Sequence, residues 1–454
     1  MPNRVTRPDY AVAVRRLVAI TAVLAAIVPA SAGAQTDTIL PHPVDSWLYL
    51  GGQINVITQH HGDFPSPYEG VNSLKAESET ATSQLLTLYV GARRASWEVV
   101  MNVESAGGRG LSDALGLAGF TNLDVVRNPT LGASPYLARL MVRKTFALSA
   151  DSIDSDPTPF SLAPHIPAKR IEIRVGKLGV ADFFDVNGVL SDSHRQFTNW
   201  TVDNNGGFDY AADTRGYTYA VFAEFDSPGW SLRGAEALMP TVANGITLDT
   251  NLTRARGENV ELELRPAARS VIRLLGYANH ANMGSYSEAI DAFLDGRDPH
   301  PDIEAHREQG RVKYGAGLNV ERSFSSGVRV AARVGWNEGA NESFAYTEAN
   351  TSVAGGVDAS GARWRRPADR FGVAVVSNGL SDLHREYLRL GGTGFLLGDG
   401  TLRYGRETIV ESYYTGALWR GVSVAGGLQF VTRPGYNRDR GPVLVQMFRL
   451  HVDL

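Results

Sequence analysis

No cysteine occurs anywhere in the 454 residues, which removes disulfides, thiolate metal sites and cysteine nucleophiles at once. Beyond Ala34 no stretch approaches the ~18 uninterrupted apolar residues that a membrane helix requires, so any membrane role falls to strands. Charge of one sign is lacking too. The 44 Lys and Arg stand against 48 Asp and Glu for a formal net charge of −4, with no basic stripe or block to attract phosphate backbones, which argues against nucleic acid as a partner. The spacings of catalysis are missing as well. The ten histidines, among them His60, His61, His194, His280, His306, His384 and His451, never fall into a zinc pattern such as His-Glu-x-x-His. No Gly-x-Ser-x-Gly elbow appears. The clusters Asp185-x-Asn187-Gly188 and Asp203-Asn204-Asn205-Gly206 lack the full calcium-loop pattern and read as turns. These absences point away from an enzyme, a metal site or a bound cofactor.

What is present begins with a leader. Arg4, Arg7, Arg15 and Arg16 precede an apolar run from Leu17 to Val28, and Ala32-Gly33-Ala34 stands before Gln35. Basic, apolar and Ala-x-Ala regions in that order form a secretory signal, and a run of about 12 residues is too short to span a bilayer. Residues 1–34 are therefore expected to direct Sec export and to be cleaved after Ala34, leaving residues 35–454 as one domain. The 43% hydrophobic and 20% charged residues and the mean hydropathy of −0.16 would suit a soluble protein. They suit a transmembrane barrel equally, because lipid-facing apolar residues alternate with polar lumen-facing ones.

That alternation is what the rest of the chain shows. Leu48, Leu50, Gly52, Ile54 and Val56 interleave with Tyr49, Gly51, Gln53 and Asn55, a period of two with one apolar face. Trp97, Val99, Met101 and Val103 interleave with Glu98, Asn102 and Glu104. Ile171, Ile173 and Val175 interleave with Glu172 and Arg174, and Val260, Leu262 and Leu264 with Glu261 and Glu263. The runs Val328–Trp336 and Val422–Phe430 repeat the pattern, and Phe448, Leu450, Val452 and Leu454 alternate with Arg449, His451 and Asp453, carrying a closing strand to the last residue. Runs of about nine to eleven residues have the length that a tilted strand needs to cross a membrane, and about 26 residues per strand with its loop gives roughly 16 strands. The expected fold is all-β: a transmembrane antiparallel β-barrel. Ser227-Pro228-Gly229 and Arg265-Pro266-Ala267-Ala268 look like short periplasmic turns, and the longer links look extracellular. Asp151–Ala168 and the acidic Asp295–Glu308 read as exposed loops. Ser381–Leu390, with a Ser cap and Leu383, Tyr387 and Leu390 on one side, predicts a loop helix, with helix scarce elsewhere. Trp47, Trp97, Tyr217, Tyr219, Trp230, Trp336 and Trp419 fall near strand ends, where aromatic girdles meet the membrane interfaces.

Several segments resemble the carbohydrate-selective porin family of the OprB type. They are Gly176–Gly216 (GKLGVADFFDVNGVLSDSHRQFTNWTVDNNGGFDYAADTRG), Tyr277–Ala289, Phe395–Tyr404, Glu411-Ser412-Tyr413-Tyr414 and Pro434–Val443, which are spread in order over a span of about two thirds of the mature chain. The resemblance implies a sixteen-stranded outer-membrane barrel that passes monosaccharides and related small solutes by facilitated diffusion. Its partners would be small sugars, outer-membrane lipids and lipopolysaccharide, and the barrel-assembly machinery, as a monomer or homotrimer.

A sugar pore needs polar groups that exchange hydrogen bonds with hydroxyls and flat apolar faces on which a pyranose slides, each weak enough to release. Strand parity points Arg139, Arg143, Arg174, Arg233, Arg273, Arg329, Arg333 and Arg449 inward, with Glu98, Glu172, Glu261 and Glu263 beside them. Arginine offers fixed donors that never deprotonate. Such arginines either brace the wall through facing glutamates or line a constriction. The loop Asp182–Tyr210 is too long for a simple connection and is expected to fold inward, with Phe197, Trp200, Phe208 and Tyr210 as an aromatic slide or as anchors to the wall, and Arg195, Asn199, Asp203 and Asn204 as a polar edge. A non-selective porin would show the same alternation, an adhesin barrel would close its lumen, and an exporter of acidic polysaccharide would need a more cationic lumen.

Overall fold

The computed structural model describes residues 38–40, 46–128 and 131–454, so the expected leader and its cleavage site lie outside the described residues. Sixteen strands close into one antiparallel barrel. In chain order they are β1 (Leu48–His61), β2 (Glu79–Arg94), β3 (Trp97–Gly108), β4 (Tyr136–Ala147), β7 (Arg170–Leu178), β8 (Thr218–Ser227), β9 (Trp230–Ala237), β10 (Arg256–Ala267), β11 (Ser270–Gly284), β12 (Arg307–Ser323), β13 (Val328–Asn337), β14 (Thr351–Ser360), β15 (Arg370–Gly379), β16 (Glu407–Trp419), β17 (Val422–Thr432) and β18 (Val443–Asp453). The two strands passed over in that numbering, β5 (Ser152–Asp154) and β6 (His165–Pro167), form a separate hairpin between β4 and β7. Each wall strand pairs with its sequence neighbour, and β1 pairs with β18, from Gln53 opposite Asp453 to His61 opposite Val445. Closure leaves no free edge, the condition for a sheet to stand in lipid.

The burial pattern is inside out. In β10 the side chain of Val260 is 52% exposed while its neighbour Glu261 is 0% exposed. The same inversion places Val175, Val221, Val353 and Phe448 outside and Arg143, Arg449 and Lys313 inside. An apolar outer band around a polar interior is the surface of a protein whose solvent on that side is hydrocarbon. Val260→Arg, near the middle of β10, should therefore lower the stability of the folded barrel in lipid by about 2–4 kcal/mol, measured by urea titration; an effect no larger than that of Val260→Ala would contradict a lipid-facing position.

Several expectations are corrected. The strands run from eight to seventeen residues, a wider range than nine to eleven. The closing strand runs to Asp453 and, as expected, its pairing with β1 carries on to the last residue, the amide of Leu454 donating to the carbonyl of Gly52 opposite it. Link 148–169 is long yet lies at the short-turn end, since β4 runs toward the same end as the two-residue Pro228-Gly229 turn. Tyr217 is not a girdle residue. It precedes β8, so the pleat does not fix its direction, and its ring is buried in the lumen with its hydroxyl donating to Glu104 at 2.6 Å. Trp47, Trp97, Tyr219, Trp230, Trp336 and Trp419 do face outward. The expected helix forms as Asp382–Arg389, capped by the Ser381 hydroxyl accepting from the His384 amide. A second helix, Tyr286–Leu294, packs beside it.

Candidate functional site

The segment between β7 and β8 fills one side of the barrel. Its backbone carbonyls and amides need partners inside a closed wall, and inward side chains of β10–β17 supply them. The Arg333 guanidinium donates to the carbonyls of Asp185, Val202 and Asp203 at 2.8–3.3 Å and pairs with the Asp185 carboxylate at 2.7 Å. Glu411 accepts from the amides of Thr198 and Asn199 at 2.7 and 3.1 Å. The Tyr277 hydroxyl donates to the carbonyl of Gly207 at 2.8 Å. Gly207 itself lies so near β13 that a Cβ there would sit 2.5 Å from the backbone of Gly335. Phe197 packs edge-on against Tyr413 at 4.8 Å, and Phe208 against Tyr277 at 5.2 Å. These contacts fill much of that half of the lumen.

The open path is therefore off-axis. A cavity of about 550 Å³ runs between the free face of the inner loop and β1–β4, within the size range of small-molecule sites. Its wall side carries Gln53, Tyr89, Glu104, Tyr136 and Arg139, and its loop side Asp182, His194, Arg195, Trp200, Asp203, Asn204 and Tyr210. Arg139 is held firmly on the wall side of this cavity. Asp182 grips it with two bonds of 2.7 and 2.8 Å, and its guanidinium lies 4.8 Å from the ring centres of both Phe160 and Tyr217. Opposite, Trp200 meets Tyr346 edge-on at 4.0 Å, and Tyr346 lies 3.9 Å from Tyr210. Beside these rings the buried Asp203 carboxylate has one oxygen without a hydrogen-bond partner, and burial lifts its pKa well above the usual carboxylate range. Enclosure disfavours the charged form of His194, but the Asp124 carboxylate 3.0 Å away overrides it and raises the imidazole to about 9. A second cavity of about 350 Å³ shares Asp192, Arg195 and Asp453 with the first and continues past Arg329 and Arg370.

The family model of the carbohydrate-selective porins, OprB family, matches residues 72–454. The chain belongs to that family. The high-pH structure of Pseudomonas putida OprB is similar to it with a TM-score of 0.67 and 14% identity, covering 90% of this chain and 94% of that one, which shows the shared barrel fold. The low-pH structure of the same protein (TM-score 0.47, 10% identity, 90% and 92% covered) and the outer membrane channel DcaP of Acinetobacter baumannii (0.48, 9%, 90% and 97%) are further matches. No curated protein matches the sequence. Family and fold are those of outer-membrane sugar channels.

In this OprB-family porin the residues singled out by strand parity and by the length of the inner loop separate by what they touch. Arg139, Arg195, Trp200, Asp203, Asn204 and Tyr210 border the main cavity, and Arg329 with Arg195 borders the second. Others brace the wall beneath the loop. Arg143 bonds Glu98 and Glu172, Arg174 bonds Glu172, Arg233 bonds Glu224, Glu261 and Glu263, and Arg273 bonds Glu263. Arg333 holds the loop. Three loop residues turn to the wall: Phe197 and Phe208 as anchors, and Asn199 as the cap of the short helix Trp200–Asp203, its amide donating to Gln429 at 3.2 Å. Reading by parity passed over Tyr89, Tyr136, Asp182, His194, Tyr217 and Tyr346. Tyr89 follows the pleat of β2 and could have been found by extending the alternation; Tyr136 lies beyond a bulge in β4 that shifts the register after Arg139, and the loop residues carry no periodic signal.

Proposed function

We propose that this porin passes monosaccharide-sized carbohydrates such as glucose into the periplasm by facilitated diffusion through the off-axis path, and that Trp200, Tyr210 and Tyr346 form the surface on which the ring slides. The observation that carries this reading is that these three rings border the same cavity as Asp203, Asn204 and the half-exposed Arg195, with Arg139 across the path. An apolar face plus exchangeable donors and acceptors suits a polyhydroxylated ring, and weak successive contacts permit release. The pore acts by passage rather than catalysis, as monomer or homotrimer, with lipopolysaccharide and lipid outside and assembly machinery inserting it.

Single-channel conductance of the refolded protein in a planar bilayer, titrated with glucose, maltose and gluconate, tests it. Saturable block by the neutral sugars at millimolar concentration is expected. Trp200→Ala should raise the half-blocking glucose concentration about fivefold, the loss expected when one aromatic contact is removed. Conductance indifferent to every sugar would leave a general porin, and absence of conductance would remove transport altogether.

A further inference from the structure

Link 148–169, at the periplasmic end, sends its tip into the lumen as a hairpin. Ser152–Asp154 pairs with His165–Pro167, and the ladder continues through Leu148 to Lys169, Ala168 to Asp151 and Ser155 to Pro164. At the tip Thr158 and Ser161 exchange backbone bonds of 2.8 and 3.2 Å, and the Thr158 hydroxyl accepts from the amides of Phe160 and Ser161. Pro157 precedes this turn and Pro159 is its second residue, fixing its backbone further.

The tip is docked to the wall by specific contacts. The Leu162 amide donates to Glu98 at 2.9 Å and the Ser161 hydroxyl accepts from Arg143 at 2.6 Å. The Leu162 side chain is buried over Gly91, where an added Cβ would lie 2.7 Å from it. Glu98 and Arg143 stand near the periplasmic ends of β3 and β4. Arg139 stands four residues higher on β4, on the order of 13 Å at strand rise, and Phe160 reaches it. With Pro159, Phe160 borders the main cavity, opposite the side from which the extracellular loop delivers Asp182 to the same guanidinium. Two insertions from opposite ends thus meet at one arginine.

We propose that this periplasmic hairpin is a specificity element of the channel: Phe160 sets the width of the path at Arg139 and is an apolar face that a sugar ring crosses on the periplasmic side of that arginine. The second half rests on the carbohydrate reading above; the first does not. Phe160 is half-buried, with one ring face covered by Arg139. Its ring is therefore held in place without being sealed off from solutes.

Conductance and glucose block of the full refolded protein are compared for wild type, Phe160→Ala, Phe160→Trp and Gly91→Val. Gly91→Val displaces Leu162 and the tip without altering the hairpin, so it covers the case in which a hairpin variant misfolds. The expected result is higher conductance in Phe160→Ala and Gly91→Val, lower conductance in Phe160→Trp, and about a fivefold weaker glucose block once the ring is lost. Unchanged conductance in all three variants overturns the proposal. Raised conductance with undiminished sugar block overturns the specificity role and leaves a width-setting wedge. Raised conductance in a wild-type background that no sugar blocks supports the width role and overturns the carbohydrate reading instead.

Discussion

Asp209→Ala destabilises the folded barrel by about 3–5 kcal/mol, the range for removing one member of a buried ion pair. Asp209 is buried in the inner loop, and its carboxylate accepts from the amides of Phe344, Ala345 and Tyr346 at 2.8, 2.8 and 3.1 Å while meeting the Lys313 ammonium at 3.1 Å. Lys313 is 0% exposed; without Asp209 it keeps only the carbonyl of Glu342 and the hydroxyl of Ser343. Three buried amides lose their acceptor at the same time, each a further cost. The effect should be read by guanidinium unfolding followed through tryptophan fluorescence. Asp209→Ala combined with Lys313→Met should be less damaging than Asp209→Ala alone, because the stranded charge is gone. A single variant within about 1 kcal/mol of wild type would mean that the clasp is not holding the loop. Sugar block should weaken with it, since Tyr346 is placed by the same three amides and forms part of the aromatic surface opposite Arg139.

The strands were legible because a barrel wall imposes one simple rule on every strand. β13 shows it plainly: Val330, Val334 and Trp336 face outward while Ala331, Arg333 and Asn337 face inward, as the alternation from Val328 requires. The direction of each side chain followed; what covers it did not. Arg333 and Arg139 have the same inward parity, yet one lies under the inner loop and the other in the open path, because a loop distant in sequence chooses which half of the lumen to occupy. That choice depends on close approaches such as Gly207 to Gly335, which leave no periodic trace. The Asp151–Ala168 link misled for a related reason. Its Ser, Asp and Pro content is that of an exposed loop, and only the direction of β4 places it at the periplasmic end, where two apolar residues, Phe160 and Leu162, carry it inside. The helix Tyr286–Leu294 was hidden because it is short and its buried face, with Tyr286, Ala289 and Ile290, is met only by other loops.

The largest functional change is expected from Arg195. Its guanidinium bridges the inner loop to the end of β18, bonding the Asp453 carboxylate at 2.6 Å, and Arg195, Asp453 and Asp192 are the residues common to both cavities. The side chain is half exposed, so the pair contributes little to stability, about 0–1 kcal/mol, and its removal leaves the barrel standing. What it removes is a partition. In Arg195→Ala the two cavities, about 550 and 350 Å³, join into one continuous opening toward the periplasm, and single-channel conductance should rise by about twofold, the constriction being what limits flow. The charge balance shifts as well. One positive charge leaves a path in which Asp192 and Asp453 remain, so cation preference should increase, read as a shift in reversal potential across a potassium chloride gradient. Arg195→Glu sharpens the test: it keeps a side chain in the path but places three carboxylates together, so conductance should rise less than in Arg195→Ala while cation preference rises more. Equal conductance in both variants and wild type would place the narrowest point elsewhere, and Arg139, gripped by Asp182 between Phe160 and Tyr217, would then be the residue that limits flow.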